Sequence, residues 1–332
     1  LKSETHYDSP ISREGGFLLN NLLFLGALFA VLWGTMFPVI SEAVTGTKIT
    51  VGPPFFNTVM IPIGLVLMLL TGVGPLLAWR KTSTSSLKRH FTIPTAVGAL
   101  TSALCVAFGM RDVYAVISFG LCAFVTISIF SEYHRGALAR GSSSGEPYLM
   151  ALWTLFGRNK RRYGGYIAHF GFVLLFVGFT GNAFNIQIEV SLRKGESFDL
   201  GGYRVVYEGY DITRNPLTEV ISTQLGVYVG EKRLGTLSPE QHIYYKRQDQ
   251  QRTTEVAIRS TLREDLYVLF EGRNEQDQAF FTAYVNPLVM WVWLGCWVMA
   301  IGMIVIIWPD RPQEHRRRRV GRPPKRMEEV AV

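Results

Sequence analysis

One ionisable side chain lies inside an otherwise apolar stretch of the chain, and it is the strongest candidate for chemistry. His169 falls within residues 164–184, which hold enough apolar residues to cross a bilayer as a helix. About 20 residues at a rise of about 1.5 Å each match the roughly 30 Å hydrocarbon layer. An imidazole at that depth needs hydrogen bonds that no water supplies, so His169 is predicted to be a functional residue.

The neighbours of His169 on the helix surface indicate what it could hold. Gly165 precedes it by four residues, and Phe172, Val173 and Phe176 follow at three, four and seven residues, so all share one face. An absent side chain on one side of the imidazole and aromatic rings on the other would admit a flat, apolar, metal-centred ligand such as haem, for which imidazole is a common axial ligand. A simpler alternative stays open, in which His169 bonds a hydroxyl or carbonyl of a neighbouring helix or faces a wet cavity.

A haem held by two imidazoles needs a second histidine at membrane depth, and the chain offers no obvious one. The other histidines lie at the edges of predicted spans or outside them: His90, His134, His6, His242 and His315. A second ligand must therefore come from another polypeptide or from a less usual donor such as methionine, or the haem hypothesis is wrong.

Apolar blocks of membrane-spanning length alternate with basic segments, which is typical of a multispanning membrane protein. The predicted helices cover residues 17–40, 55–79, 91–109, 113–130, 164–184 and 287–308. A formal net charge of +8 would suggest a nucleic-acid partner if the protein were soluble. Here the basic residues are concentrated in short loops and a tail, so their distribution reflects membrane topology and we expect no nucleic-acid partner.

The loop charges predict how the chain lies in the membrane. Residues 80–90, 131–163 and 309–332 hold 4, 6 and 8 basic residues, whereas residues 41–54 and 110–112 hold one each. Because Lys and Arg favour the cytoplasmic side, both ends are predicted to be cytoplasmic, with residues 185–286 on the opposite side, in the periplasm or its equivalent. The expected order is a five-helix membrane domain over residues 1–184, a periplasmic domain over 185–286, the sixth helix and a basic cytoplasmic tail over 309–332.

The periplasmic segment has the pattern of a small β-protein. Strands are predicted near residues 186–192, 203–207, 220–229, 242–245, 255–260, 265–270 and 280–284. Turn signals such as Gly201-Gly202 and Gly230-Glu231 separate them. The fold class is therefore a multispanning α-helical membrane protein of about six transmembrane helices, with a small antiparallel β-domain inserted on the periplasmic side. Residues 131–163 are expected to form a polar connection with a flexible centre at 141–145 and a short interfacial helix around Trp153.

The chain lacks the usual signs of a self-contained enzyme. No Ser/His/Asp arrangement, glycine-rich phosphate loop or spaced carboxylate pair is recognisable. Cys105, Cys122 and Cys296 all fall inside predicted spans, so neither a disulfide framework nor a CxxC pair can be built. The chain is expected to be catalytically incomplete by itself.

Four motifs, in this order, resemble the C-terminal half of the CcmF family, the large membrane component of the cytochrome c maturation (system I) haem lyase. They are Ser12-Arg13-Glu14 with Asn20-Asn21; Val51-Gly52-x-Pro54-Phe55-Phe56-Asn57; Arg162-Tyr163-Gly164-Gly165 with His169-x-Gly171; and Thr254-Glu255-Val256-Ala257-Ile258 with Asp265-Leu266-Tyr267-Val268. The resemblance covers nearly the whole chain apart from the basic tail.

The resemblance implies a haem lyase component that takes haem from the chaperone CcmE and attaches it to apocytochrome c, together with CcmH and CcmI. It also implies that His169 is an axial ligand of the iron of a transmembrane haem b, which passes electrons from quinol. The family's tryptophan-rich segment, its external haem-binding histidines and its other haem b ligand belong to the N-terminal half and do not occur here. The chain is then either a truncated or a naturally split protein, and haem ligation would need that missing half.

Two other classes of function stay open. One is half of a transporter or permease, with His169 as a proton-relay or substrate contact, although the chain shows no internal repeat. The other is an assembly subunit without a cofactor.

Overall fold

The computed structural model describes residues 11–77, 83–245 and 252–309. Six helices in this part of the chain are long and apolar enough to span a membrane. The helices are α1 (Arg13–Thr45), α2 (Pro53–Val73), α3 (Thr84–Ala107), α4 (Val113–Ser144), α5 (Tyr148–Arg158), α6 (Lys160–Thr180) and α7 (Val289–Ile307). The strands are β1 (Ile186–Leu192), β2 (Ser197–Leu200), β3 (Tyr203–Arg214), β4 (Thr218–Val229), β5 (Lys232–Leu237), β6 (Glu240–Tyr244), β7 (Arg252–Glu255), β8 (Ala257–Ser260), β9 (Glu264–Arg273) and β10 (Ala279–Pro287). The predicted class, a multispanning helical protein with an inserted antiparallel β-domain, is confirmed.

Capping residues set the ends of the long helices. The Ser12 hydroxyl accepts a hydrogen bond from the Gly15 amide at the start of α1, and Gly46, with φ of +70°, ends that helix. A side-chain acceptor at the first position satisfies an amide that has no partner within the helix, and glycine adopts the left-handed conformation without a Cβ clash. α1 is consequently longer at both ends than the predicted span 17–40.

The connection predicted to be flexible, residues 131–163, is largely helical. α4 continues to Ser144, and α5 follows after three residues. The hydroxyls of Ser142, Ser143 and Ser144 donate to carbonyls of the preceding turn at 2.8–3.1 Å. Glu146 accepts two hydrogen bonds from Arg140 at 2.6 and 2.7 Å. The loop preference of the Gly and Ser residues was misleading because these bonds satisfy the polar groups of the last turn within the helix.

Other boundaries also differ from those predicted. α2 ends at Val73 and a short 3₁₀ turn, Gly74–Leu76, follows; the predicted end at residue 79 lies outside the described residues. α3 begins inside the predicted basic loop, and α5 includes Trp153, which is 77% exposed. The basic tail beyond residue 309, His6 and His315 also lie outside the described part of the chain.

The β-domain is an antiparallel sandwich. One sheet has the order β1-β10-β9-β8; the other has the order β2-β3-β4-β6-β7, with β5 also paired to β4. Alternate residues of both sheets bury their side chains between them; Leu225, Val268, Phe270 and Phe281 are at most 1% exposed. The sequence patterns missed β2, β5 and all but the last residue of β7, because β2 has only four residues and β5 and β7 are mostly polar.

The sandwich is attached closely to the start of α7. The Leu288 amide donates to the Arg263 carbonyl at 2.9 Å, and the Trp291 indole Nε1 donates to the Leu262 carbonyl at 3.0 Å. Leu288 itself has a φ of +64°, which turns β10 directly into the helix. The turn between β8 and β9 is therefore held at the beginning of α7 by both main-chain and side-chain bonds.

Candidate functional site

One face of α6 borders a cavity between α1, the end of α2 and α6. Its volume is about 780 Å³, within the range of roughly 300–1,000 Å³ that small-molecule sites occupy. The α6 side consists of Arg161, Arg162, Gly165, Tyr166 and His169. The remaining wall consists of Arg13, Gly16, Phe17 and Asn20 of α1 with Leu70, Thr71, Gly74, Pro75 and Leu77. His169 therefore lines a cavity large enough for a ligand.

The imidazole of His169 has an unsatisfied nitrogen. Its Nδ1 is buried, and no hydrogen-bond partner for it exists among the described residues. Gly165, one turn earlier on α6, lies beside it, and a Cβ built on Gly165 would meet no atom within 4 Å. Because Gly165 has no side chain, the cavity wall next to His169 is open at this position.

Phe172, Val173 and Phe176 do not line this cavity. This corrects the expectation that these residues would flank the ligand. Val173 is 3% exposed, and the rings of Phe172 and Phe176, whose centroids lie 4.9 Å apart, are partly buried against the apolar cluster of the helical region. A Cβ on Gly64 of α2 would lie 3.2 Å from Phe176 Cζ. The three residues share a helical face with His169, but other helices cover that face one to two turns further along.

The opposite face of α6 packs against α7 through a glycine seam, defined by Gly164, Gly171 and Gly178 of α6 with Gly295 and Gly302 of α7. A Cβ on Gly171 would lie 2.5 Å from Met299 N and 2.7 Å from Gly295 O. A Cβ on Gly302 would lie 2.5 Å from Ala168 N. Only glycine lets the two backbones come this close. The seam fixes the rotation of α6 and thereby directs His169 away from α7.

A buried carboxylate on α4 binds two of the α6 residues that line the cavity. Glu132 of α4 has a side chain only 10% exposed. Its Oε2 accepts a hydrogen bond from Arg162 Nη2 at 2.5 Å and one from the Tyr166 hydroxyl at 3.3 Å. Arg135 pairs with the other carboxylate oxygen. Arg162 and Tyr166, which line the cavity, are therefore positioned from behind by Glu132.

Arg13 lines the cavity from α1. Its Nη2 donates to the Pro75 carbonyl at 3.0 Å, while its Nε is buried and has no partner among the described residues. Arg13 begins α1 and Arg161 lies near the beginning of α6, so the cations gather at the end of the cavity away from the sandwich.

The remaining described histidines lie elsewhere. His90 contacts Arg135, His134 Nδ1 lies 3.0 Å from the Tyr148 hydroxyl, and His242 Nε2 lies 3.0 Å from Glu240 Oε2. Neither they nor any methionine is among the described residues that line the His169 cavity. No group of three or more potential metal ligands occurs in the described part of the chain.

Sequence reasoning identified His169 and Gly165 but assigned no role to Arg13 or Glu132. Arg13 was only part of a recognised motif, and the sole signal for Glu132 was an acidic residue just after a predicted span. The glycine seam was also missed, although its signal was present. The glycines of both helices recur every seven residues, which brings them to nearly the same face.

Fold and site together define a multispanning helical membrane protein with a β-sandwich between its last two long helices and a single-histidine cavity beneath it. Residues 183–287 match the family model described as the CcmF C-terminal beta-sandwich. A solved structure titled Cytochrome c Heme Lyase CcmF superimposes with a TM-score of 0.73 at 26% identity, covering 91% of this chain and 46% of that one.

Curated relatives agree with the structural match. Cytochrome c-type biogenesis protein CycK of Rhizobium meliloti is 28% identical over 98% of this chain and 46% of its own length. The proteins named CcmF of Pseudomonas aeruginosa and Escherichia coli are 28% and 26% identical over 88% and 90% of this chain, and over 43% and 44% of their own lengths. The chain is similar to the C-terminal region of these relatives, as the motifs predicted, and it spans less than half of their length. These relatives are named for cytochrome c-type biogenesis.

Proposed function

We propose that this chain is one part of a cytochrome c haem lyase and that His169 is an axial ligand of a haem b held within the membrane. The observation that carries the proposal is the position of His169 in the wall of the cavity, beside the open space at Gly165. Its Nδ1 is buried without a partner among the described residues. A buried polar group without a partner costs about 1–3 kcal/mol, and a hydrogen-bond partner from the rest of the lyase would remove that cost.

The residues present fit a haem. One imidazole, an apolar wall that includes Phe17, Leu70 and Leu77, and a cationic end suit a flat apolar ring with acidic side chains. When bound, the haem iron supplies one-electron chemistry. The seam with α7 orients the imidazole, and the packed rings of Phe172 and Phe176 close the α6 face beyond it.

The rest of the proposed activity involves other polypeptides. The N-terminal half of CcmF, in the same or a separate chain, would supply the second axial ligand, and quinol would supply electrons. The whole lyase would take haem from loaded CcmE and attach it to apocytochrome c together with CcmH and CcmI. In this proposal the sandwich is the docking surface for these partners.

The proposed location is the bacterial inner membrane, with the sandwich in the periplasm and the cationic ends of α1 and α6 at the cytoplasmic side. The concentration of basic residues in alternate loops supports that orientation. The position of the sandwich, between the last residues of α6 and the first of α7, is consistent with it.

A difference spectrum of the purified complex tests the assignment. We coexpress the chain with the N-terminal half of CcmF, isolate the complex in detergent and compare its reduced and oxidised absorption. The wild type and the control His134→Ala, whose imidazole is exposed beside Tyr148, are expected to give a b-type signal, and His169→Ala is expected to lose it. A colourless wild type, or an equal signal from His169→Ala, would contradict the proposal.

A further inference from the structure

Arg13 lies in the wall of the cavity at the beginning of α1, where it is partly buried. The bond from its Nη2 to the Pro75 carbonyl at 3.0 Å holds the guanidinium against the end of α2. Its Nε is nevertheless buried without a partner in the described part of the chain. Burying a cationic N–H without an acceptor is unfavourable, and an anion bound to the same guanidinium from the cavity would offset part of that cost electrostatically.

The charges around the cavity favour such an anion. Arg13, Arg161 and Arg162 all line it, and none of its described lining residues is acidic. The nearby carboxylate, Glu132, is already bound by Arg162 and Arg135. The cavity therefore has an excess of positive charge at one end that its own described wall does not balance.

The distance along α6 between His169 and Arg161 suits a single ligand that contacts His169 and also reaches the cationic end of the cavity. His169 lies eight residues beyond Arg161, which is about 12 Å at the helical rise of about 1.5 Å per residue. A porphyrin has its metal at the centre and its carboxylates at one edge. Such a ring bound through its metal to His169 can direct those carboxylates towards Arg13.

We propose that Arg13 binds a carboxylate of the planar ligand held by His169 and so fixes which edge of the ring faces the cationic end; this inference rests on the function proposed above. Arginine suits the role because its planar guanidinium can give two parallel hydrogen bonds to a carboxylate. Arg162, held by Glu132, contributes charge at the same end, while Arg13 has an uncommitted donor.

A binding cycle tests the contact directly. The haem-free complex of this chain with the N-terminal half is titrated with haem and with haem dimethyl ester, whose carboxylates are blocked, for wild type and Arg13→Gln. Wild type is expected to prefer haem by about tenfold or more, the size of a charge-assisted hydrogen bond. Arg13→Gln is expected to reduce that preference to about threefold or less, because the two changes remove the same contact.

The control is Arg89→Gln, which removes one exposed positive charge from α3 at the same end of the helices without touching the cavity. It is expected to keep the wild-type preference. If Arg13→Gln does not give a folded complex, Arg13→Met, which keeps the aliphatic stem, replaces it in the same cycle.

The outcomes separate this inference from the function on which it rests. Equal weakening of both ligands by Arg13→Gln, with the preference intact, means that Arg13 is only structural and overturns the inference while His169 stays the ligand. A wild-type complex that binds neither ligand overturns both. A second readout, the reduction potential of the bound haem, is expected to become more negative in Arg13→Gln because a nearby positive charge stabilises the reduced iron.

Discussion

The two faces of α6 use glycine in opposite ways. Along the seam, Gly171 lets α7 approach until a Cβ would lie 2.5 Å from a backbone nitrogen. On the cavity face, Gly165 has no atom within 4 Å of that position. One glycine is required because two helices meet there, and the other leaves space beside His169. The residue type does not distinguish the roles of Gly171 and Gly165. The distinction comes from what faces each glycine, the backbone of α7 or the cavity.

The largest effect is expected from breaking the seam. Gly171→Val places methyl groups against the α7 backbone, which cannot move aside as a side chain would. We expect destabilisation of about 3 kcal/mol or more, above the usual cost of overpacking, and little folded protein. Thermal unfolding and size-exclusion profiles in detergent measure this. Gly26→Val in α1, where a Cβ meets nothing within 4 Å, is the control; equal behaviour of the two variants would contradict the prediction.

A smaller loss of stability is expected from weakening the ion pairs that connect the cavity face of α6 to α4. Glu132→Gln removes the charge that Arg135 and Arg162 share. Because the Arg162 side chain is 56% exposed, the loss should be about 1–3 kcal/mol, below that for a fully buried pair. Thermal unfolding in detergent is the measurement. Glu14→Gln, in the first turn of α1, controls for loss of one negative charge, and no difference between the two would show that Glu132 does not hold the wall.

Filling the open side of α6 is expected to affect ligand binding more than folding. Gly165→Leu places a side chain in the cavity beside His169 and should lower the haem content of the complex by about tenfold, roughly 1.4 kcal/mol, while the melting temperature changes little. Absorbance per mole of purified protein measures the content. Unchanged haem would indicate that the ring does not occupy the space next to Gly165.

The smallest effect is expected from a single methyl group at the same place. Gly165→Ala should stabilise the helix slightly, by about 0.5–1 kcal/mol, because alanine loses less conformational entropy than glycine. Gly171→Ala should instead destabilise, since its Cβ meets backbone. The two melting temperatures should therefore shift in opposite directions, and shifts of the same sign would remove the contrast between the faces.

The sequence was sufficient for features that depend on local composition. Apolar length predicted six spans, alternation predicted most of the sandwich strands, and the rarity of histidine in hydrocarbon singled out His169. Features that depend on particular hydrogen bonds, or on a distant element, were missed. The continuation of α4 to Ser144 depends on bonds within its last turn and on the Arg140–Glu146 pair. The interior position of Phe176 depends on α2.

The cavity likewise combines a feature that the sequence showed with features that it could not show. Gly165 beside His169 was visible in the helical spacing, but the wall that completes the space comes from α1 and the end of α2, more than eighty residues earlier in the chain. Spacing along one helix shows which side chains share a face. It does not show where a neighbouring helix covers that face. For this reason Phe172 was expected at the ligand, whereas it packs partly buried against the apolar cluster of the helices.

The seam between α6 and α7 also determines how the sandwich is mounted. Both strands that join it to the membrane helices, β1 and β10, pair with each other along their length, and the helices below them are in backbone contact. The sandwich is therefore joined to the membrane helices through two connections that contact each other, and not through two independent linkers. Any turn of α6 that reoriented His169 would have to carry α7 with it, and the whole sandwich would tilt by a corresponding amount.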